Sequence, residues 1–297
     1  MHLETYLYML LQSDKMLAPP GAQPDFKNLA LQTSANAVAE NWITIPAQKL
    51  TIGQTGTSKF WTWDNETPAR QHEVSSFQVR SNPITNADYA HYLLSIANPI
   101  LPASWTILSN TQLSTTADNE ALLKGHAKPN FRAFIADKAI RTVYGPVPLV
   151  YALDWPAIGS YDQLSACAAY LKGRIPTMEE SKSVHAYVEH SKPAELRGNL
   201  HPEEPDLFTD LAGLNVGVKN FHPAPVTSSA TTAGTWGGVA PMGGAWEWTS
   251  TVLAEWTGFE PMPEYPAYTS DFFDEKHNIV LGGSWATVPR IAGRRSL

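Results

Sequence analysis

The sequence contains one cysteine and nine histidines, and these residues limit which metal sites and thiol reactions it could support. The single cysteine, Cys167, excludes an intrachain disulfide and any metal site built from several thiolates. It shares an apolar helical stripe with Leu164, Ala168 and Leu171. We therefore expect Cys167 to be a small core residue rather than a reactive thiol.

The histidines show no metal-binding spacing of their own. Two histidines on one helix can bind the same metal ion when they lie four residues apart, because that spacing places both imidazoles on one face. His185 and His190 are five residues apart. Six histidines fall on polar or helical segments and are expected to be solvated: His72, His91, His126, His185, His190 and His201. His2, taken alone, is a terminal residue with an exposed imidazole.

Two blocks that combine a glycine pair with tryptophan stand out near the end of the chain. They are residues 243–249 (GGAWEWT) and 281–287 (LGGSWAT). Adjacent glycines let two backbones approach closely, and an indole ring then fills the space while its N–H needs a partner. We predict that Trp246, Trp248 and Trp285 belong to the core.

Composition and charge exclude two classes of partner. The sequence is 43% hydrophobic and 16% charged, which is typical of a globular protein with one large core. A net charge of −7 and a pI near 5.7 give no electrostatic reason to expect nucleic acid or an anionic membrane as a partner. Residues 1–11 contain Glu4 and lack the basic start and cleavage site of a signal peptide. We expect a cytoplasmic protein without nucleic-acid or membrane partners.

The first forty residues predict two short helices. Leu3, Leu7, Leu10 and Leu11 recur at helical spacing, which places them on one face. So short a helix is marginal in water, and its apolar face must pack against something. A second helix is predicted over residues 26–39, and the main domain is expected to begin near Ile43.

The rest of the chain predicts short strands separated by long irregular stretches. Strands are expected over residues 50–52, 74–79, 147–151 and 279–281. Residues 192–236 and 255–276 show weak periodicity and many prolines, which is typical of irregular structure.

Three helices between these strands have recognisable starts. Thr85 is the expected N-cap of a helix over residues 86–95. Ser160 and Thr177, each followed three residues later by Gln or Glu, predict capping boxes for helices over residues 161–171 and from 178 to about 189. Gly173 is the expected C-terminal stop of the first of these two.

These motifs together resemble the formylglycine-generating-enzyme domain, an α+β, C-type-lectin-like fold with much irregular structure. Besides the two glycine–tryptophan blocks, the resemblance includes residues 60–68 (FWTWDNETP), 81–89 (SNPITNADY) and 173–180 (GRIPTMEE). Formylglycine-generating enzymes use a cysteine pair to hold copper, as the resemblance implies, and one thiol cannot make that pair. The copper branch is therefore disfavoured.

Four further segments look like the fungal sulfoxide synthase of ergothioneine biosynthesis: residues 150–156 (VYALDWP), 220–223 (NFHP), 265–273 (YPAYTSDFF) and 277–287 (HNIVLGGSWAT). In that family the domain cooperates with an N-terminal DinB-like helical bundle, which supplies three histidines to a non-haem iron(II). The resemblance implies that iron and O2 join the sulfur of cysteine or gamma-glutamylcysteine to the imidazole of hercynine, giving a sulfoxide.

The family motif His-x-x-x-His-x-Glu bears on His2 and Glu4. This chain matches only its last part, so the resemblance implies that His2 is a metal ligand whose partner histidines are missing. One imidazole cannot fix iron(II) in a defined geometry. We therefore expect residues 1–42 to be a remnant of the DinB-like bundle plus a linker, residues 43–297 to be a domain incomplete at its C-terminus, and the sequence to be cut at both ends.

Candidate substrate-site residues also follow from the resemblance. The family uses a tyrosine near the iron as a proton donor, and Tyr265 is the candidate here. Arg290 and Arg294 could bind substrate carboxylates through bidentate hydrogen bonds, although arginines beside a chain end are often simply exposed. His222 and His277 lie inside family motifs and are expected to orient backbone by hydrogen bonds.

Two functional hypotheses remain open from the sequence. The first is an iron(II)- and O2-dependent sulfoxide synthase, represented here by its lectin-like domain and a helical remnant, with Fe(II) not stably retained and the chain inactive alone. The alternative is a non-catalytic lectin-like binding module, or pseudoenzyme.

Overall fold

The computed structural model describes residues 2–13, 15–18, 20–21, 23–35, 40–54, 61–109, 113–126, 130–191, 211, 214–225 and 244–292. Its helices are α1 (His2–Leu11), α2 (Phe26–Ala35), α3 (Asn86–Ser95), α4 (Ala117–Leu122), α5 (Phe131–Ile135), α6 (Tyr161–Tyr170), α7 (Met178–Ser191), α8 (Ala267–Ser270) and α9 (Pro289–Ala292). Its strands are β1 (Trp42–Ile45), β2 (Gln48–Ile52), β3 (Arg70–Val74), β4 (Phe77–Arg80), β5 (Trp105–Ile107), β6 (Lys138–Thr142), β7 (Gly145–Pro148), β8 (Trp246–Val252) and β9 (Asn278–Gly282).

The strands form small antiparallel sheets rather than one large sheet. In the described parts of the chain, β1 pairs with β4, β2 with β3 and β8 with β9, while β5, β6 and β7 form a three-stranded sheet in that order. Helices and long loops lie between these sheets. The mixture of helices and small sheets confirms the predicted α+β class.

The predicted helix starts are confirmed by their capping hydrogen bonds. Thr85 accepts from the backbone N–H of Asp88, and the Asp88 side chain accepts from the N–H of Thr85 in return. Ser160 with Gln163 and Thr177 with Glu180 form the same reciprocal boxes. These short-range bonds satisfy amide donors that the first helical turn leaves unpaired.

Three predictions about element ends were wrong. Helix α6 ends through a left-handed residue at Lys172 (φ 62°), so Gly173 follows the reversal instead of making it. The expected strand over residues 74–79 is two strands, β3 and β4, because Ser75 and Ser76 lie outside the ladders that β3 forms with β2 and β4 forms with β1. Strand β7 stops at Pro148, and Leu149–Tyr151 is a 3-10 turn.

The largest core cluster connects α3, the β5–β6–β7 sheet and the segment after β7. Tyr89, Trp105, Phe131, Leu149 and Trp155 are among its buried members. Helix α2, predicted as a second helix over residues 26–39 and described to Ala35, packs on this cluster. Cys167 has 0% exposure in the same core, which confirms the predicted structural role. None of the described helices is both long and apolar enough to cross a membrane.

The predicted solvation of six histidines is confirmed for the exposed His185 and His190 and was wrong for His91 and His126. His72 is half-buried, and His201 lies outside the described residues. Nε2 of His91 on α3 lies 3.2 Å from Nδ1 of His126 after α4, and both rings stack on Phe131. Burial lowers the pKa of His126, with Asp154 and Asp88 acting in the opposite direction. The sequence gives no sign of this contact because the two histidines are 35 residues apart.

The lowered pKa of His126 predicts an acid-sensitive fold. Burial likewise lowers the pKa of His222. Each imidazole binds a proton more readily in the unfolded chain, so the free energy of unfolding should fall as the pH drops below about 6.5, the ordinary histidine pKa. Urea denaturation at pH 7.5 and 5.5 measures this loss.

The pH effect should be smaller in His126→Gln and His222→Gln than in the wild type. His190→Gln, at an exposed position on α7, is the control and should retain the full effect. An equal loss of stability in all four proteins would contradict the assignment.

Candidate functional site

The two glycine–tryptophan blocks of the sequence pair with each other in the structure. In the β8–β9 ladder Trp246 lies opposite Gly282 and Trp248 opposite Val280. The backbone N–H of Trp285 then donates to the carbonyl oxygen of Gly244 at 3.0 Å. The predicted close backbone approach is confirmed at Gly244, which has φ 87° and where an added Cβ would lie 3.2 Å from the Asn215 carbonyl oxygen and 2.3 Å from the Asn215 side-chain nitrogen.

A tight turn follows β9 at residues 284–287. The backbone N–H of Ser284 donates to Oγ1 of Thr287 at 2.8 Å, and the N–H of Ala286 donates to Oγ of Ser284 at 3.0 Å. Trp285 is almost fully buried beside Val143 and Ala286, which confirms its predicted core position. Each hydroxyl oxygen accepts a hydrogen bond from a backbone N–H, so its own O–H can donate to a third group.

Helix α1 packs against this turn. Its Leu7, Tyr8 and Leu11 contact the cluster around Trp285, and the ring of Tyr8 meets the Trp285 ring edge-on at 6.3 Å between centroids. The predicted single leucine face is only half correct, because Leu3 and Leu10 are exposed on the other side of the helix.

Glu4 is buried at this contact, with 6% exposure. Its Oε1 atom accepts from the Tyr8 hydroxyl at 2.7 Å and, at 2.8 Å each, from the Trp246 indole N–H, the Ser284 hydroxyl and the Thr287 hydroxyl. Burial acts to raise the pKa of Glu4, but the hydrogen bonds from these four donors outweigh it and hold that pKa below its ordinary value. The site therefore stabilises an ionised carboxylate.

The three predicted site residues that the structure describes lie on α1, in the loop before α8 and on α9. His2 is exposed at the start of α1, and Arg290 is exposed on α9. Tyr265 is 59% exposed and leans against Tyr268. Arg294 lies outside the described residues. The roles predicted for these four residues stay predictions.

The DNE segment forms a second polar site. Its 3-10 turn, Asp64–Glu66, buries both carboxylates. Asp64 accepts from the Thr269 hydroxyl at 2.5 Å, and Glu66 accepts from the backbone N–H of Trp63 at 2.7 Å. Trp63 stacks on Tyr268 at 4.6 Å, so this turn and the loop around α8 form one unit. The predicted scaffold role fits these contacts.

Comparison with known proteins identifies the family. Residues 28–295 match the FGE-sulfatase family, described as the sulfatase-modifying factor enzyme 1-like domain. The chain belongs to the FGE-sulfatase family. Helix α1 lies before the matched residues and contacts this FGE-sulfatase domain through Glu4.

Curated relatives extend the similarity over the whole chain. The chain is 45% identical to ergothioneine biosynthesis protein 1 of Neurospora crassa and 30% identical to the protein of that name from Schizosaccharomyces pombe. Each match covers 100% of this chain but only 40% and 35%, respectively, of the relative. The hercynine oxygenase of Mycobacterium tuberculosis is 29% identical over 77% of this chain and 50% of its own length.

Two histidines of the family motifs differ in their surroundings. His222 is buried between Trp155 and Phe26, and its Nδ1 donates to the carbonyl oxygen of Pro223 at 2.6 Å. The expected backbone hydrogen bond is thus present. His277 instead forms a 2.9 Å contact with the Asp274 carboxylate at the surface.

The residue that sequence reasoning missed is Glu4 itself. Glu4 lies in the family motif, but its donors other than Tyr8 are 242 to 283 residues away in the sequence. A glutamate that replaces an apolar residue on the inward face of an amphipathic helix was the available signal.

Cys167 provides a test of the thiol assignment in this FGE-sulfatase domain. Burial raises the pKa of the Cys167 thiol to about 12. We predict that a thiol-reactive disulfide reagent at pH 8 modifies no cysteine in the native protein and one in urea, because both access and thiolate are lacking in the fold. Rapid reaction of the native protein would contradict the structural assignment.

Proposed function

We propose that this chain is the FGE-sulfatase portion of an ergothioneine-pathway sulfoxide synthase. The observation that carries the proposal is the similarity to ergothioneine biosynthesis protein 1, which covers 100% of the chain and so includes α1 beyond the family domain. The substrates would be hercynine, O2 and either cysteine or gamma-glutamylcysteine. An imidazole C–H and a thiol S–H are replaced by one C–S bond, one oxygen atom goes to sulfur, and the other leaves as water.

Iron(II) is the cofactor proposed for the complete enzyme, where it would activate O2. In the parts of the chain that the structure describes, no three side chains of His, Cys, Asp or Glu converge to hold a metal ion. His2 is exposed and offers one imidazole. The described residues therefore do not fit an iron centre by themselves, and we derive no chemical step through the metal.

We propose that α1 comes from a DinB-like bundle that completes the enzyme, with residues 1–42 as its remnant and linker and residues 43–297 as a lectin-like domain. The exposure pattern of α1 supports this. Tyr6 is 63% and Met9 64% exposed, although both are large apolar side chains, and Leu3 and Leu10 are exposed beside them. A helix that is apolar on two faces suits a position between two packed units.

The catalytic assignments within this proposal are specific. Tyr265 is proposed as the proton donor, and its exposed position leaves the hydroxyl accessible to a second unit. Arg290 and Arg294 are proposed to bind substrate carboxylates. The protein is proposed to act in the cytoplasm on small-molecule substrates.

A non-catalytic binding module is the second candidate. It is favoured by an aromatic surface in which Trp61 and Tyr265 are exposed at the two ends of the stacked pair Trp63 and Tyr268. Exposed aromatic groups of this kind suit ligand or protein contacts. Such a module would need no metal and no oxygen.

A domain exchange tests the enzyme hypothesis. We predict that the Neurospora crassa relative, with its matching segment replaced by this chain, converts hercynine and a thiol substrate to a sulfoxide in the presence of iron(II). Mass spectrometry of the product and O2 uptake, with one O2 consumed per sulfoxide, provide the measurement.

The unaltered Neurospora protein is the positive control. If it is active while a folded exchange protein makes no sulfoxide, the enzyme hypothesis is wrong and the binding module is favoured. Activity with Tyr265→Phe equal to that of the unmodified exchange protein would remove the proton-donor role from Tyr265 alone.

An iron titration tests the proposed need for ligands outside the described residues. We predict that the purified chain shows no tight one-to-one binding of iron(II) in anaerobic equilibrium dialysis, because a single imidazole does not define a site. His2→Ala should bind as the wild type does. Stoichiometric iron that is lost in His2→Ala but kept in the control His190→Ala would contradict the proposal.

A further inference from the structure

The buried carboxylate of Glu4 has a role that packing alone does not require. Burying a charge is unfavourable unless hydrogen bonds replace the lost water. An apolar residue at this position would extend the contact that Leu7 and Leu11 already make with the Trp285 cluster, but it would leave the donors from β8 and the turn without this acceptor. Glu4 thus makes a directional, hydrogen-bonded contact with the domain, whereas Leu7 and Leu11 on the same helix make non-directional apolar contacts.

The donors around Glu4 fix the direction in which its side chain must point from α1. The Ser284 and Thr287 hydroxyl oxygens each accept a hydrogen bond from a backbone N–H, and each hydroxyl donates to Oε1 of Glu4 at 2.8 Å. The Trp246 indole N–H comes from β8, whose pairing with β9 holds the same turn in place. Three side-chain donors, carried by β8 and by the turn after β9, thus converge on Oε1 of Glu4.

This convergence determines how α1 is rotated about its own axis. Successive helical residues are about 100° apart, so Thr5 would replace Glu4 at the donors after a rotation of that size, and no carboxylate would meet them. His2 lies about 200° from Glu4 and therefore on the outward side. Tyr6, Met9 and Leu10 are exposed on that same side.

We propose that Glu4 is a positioning residue that sets the rotation of α1 on the FGE-sulfatase domain, and so the direction in which His2 and the apolar outer face project. The consequence for catalysis rests on the proposed function, since it matters only where a further helical unit meets that face. The orientation itself depends on neither metal nor substrate.

Distance measurements between two spin labels test this proposal on the intact chain. Cys167 is buried, so cysteines introduced at the exposed positions Tyr6 and Ile107 can be labelled selectively. The parent protein should give one narrow distance distribution by double electron–electron resonance. Glu4→Ala should lose that peak to a broad or displaced distribution, and Glu4→Gln, which keeps an acceptor but not the charge, should be intermediate.

Leu7→Ala is the matched control, because it weakens the packing of α1 without touching the carboxylate. Its peak should stay at the parental distance. An unchanged distribution in Glu4→Ala, or an equal displacement in Leu7→Ala, would overturn the proposal. If Glu4→Ala does not fold, Trp246→Phe, which removes one donor to Glu4 and keeps the hydrogen bonds of the 284–287 turn, decides by the same criterion.

The outcome is separable from that of the domain exchange. The distances are measured without iron, hercynine or thiol, so an inactive exchange protein leaves the positioning role of Glu4 untouched. Conversely, sulfoxide formation combined with unchanged distances would reject the positioning role and keep the proposed enzyme.

Discussion

The docking of α1 on the FGE-sulfatase domain depends on one buried carboxylate. The Glu4 carboxylate is held by donors from α1, β8 and the turn after β9, which come from opposite ends of the sequence. Hydrogen bonds to a charged group contribute about 1.5–3 kcal/mol each, but only when the donors are already in place. The folded turn presents these donors to Glu4, and the docked helix in turn packs against Trp285.

The turn is in place because of glycine. Gly244 takes a left-handed conformation against the Asn215 side chain, and Gly283 packs so closely that an added Cβ would lie 2.9 Å from the Cβ of Ala292. These contacts let β8, β9 and α9 converge with little side-chain volume between them. In a domain built from small sheets, such side-chain and backbone contacts take the place of a long hydrogen-bonded ladder.

Local features of this fold could be predicted from the sequence, and long-range ones could not. The capping boxes at Thr85, Ser160 and Thr177 were predictable because all their partners lie within three residues. The burial of Cys167 followed from helical periodicity. By contrast, the His91–His126 contact and the donors of Glu4 depend on tertiary packing that no local pattern encodes. The roles of His2, Tyr265, Arg290 and Arg294 stay predictions, because residues on separate loops and termini share no local sequence pattern.

Helix α1 packs on the FGE-sulfatase domain, and its apolar outer face stays exposed. The most direct measurement is native-state amide hydrogen exchange of α1 in the intact chain. The account predicts that amides near Leu7, Tyr8 and Leu11 are protected to an extent similar to those of β8 and β9, since a docked helix opens only with its support. Exchange of α1 at the rate of an isolated short helix, with β8 and β9 still protected, would contradict it.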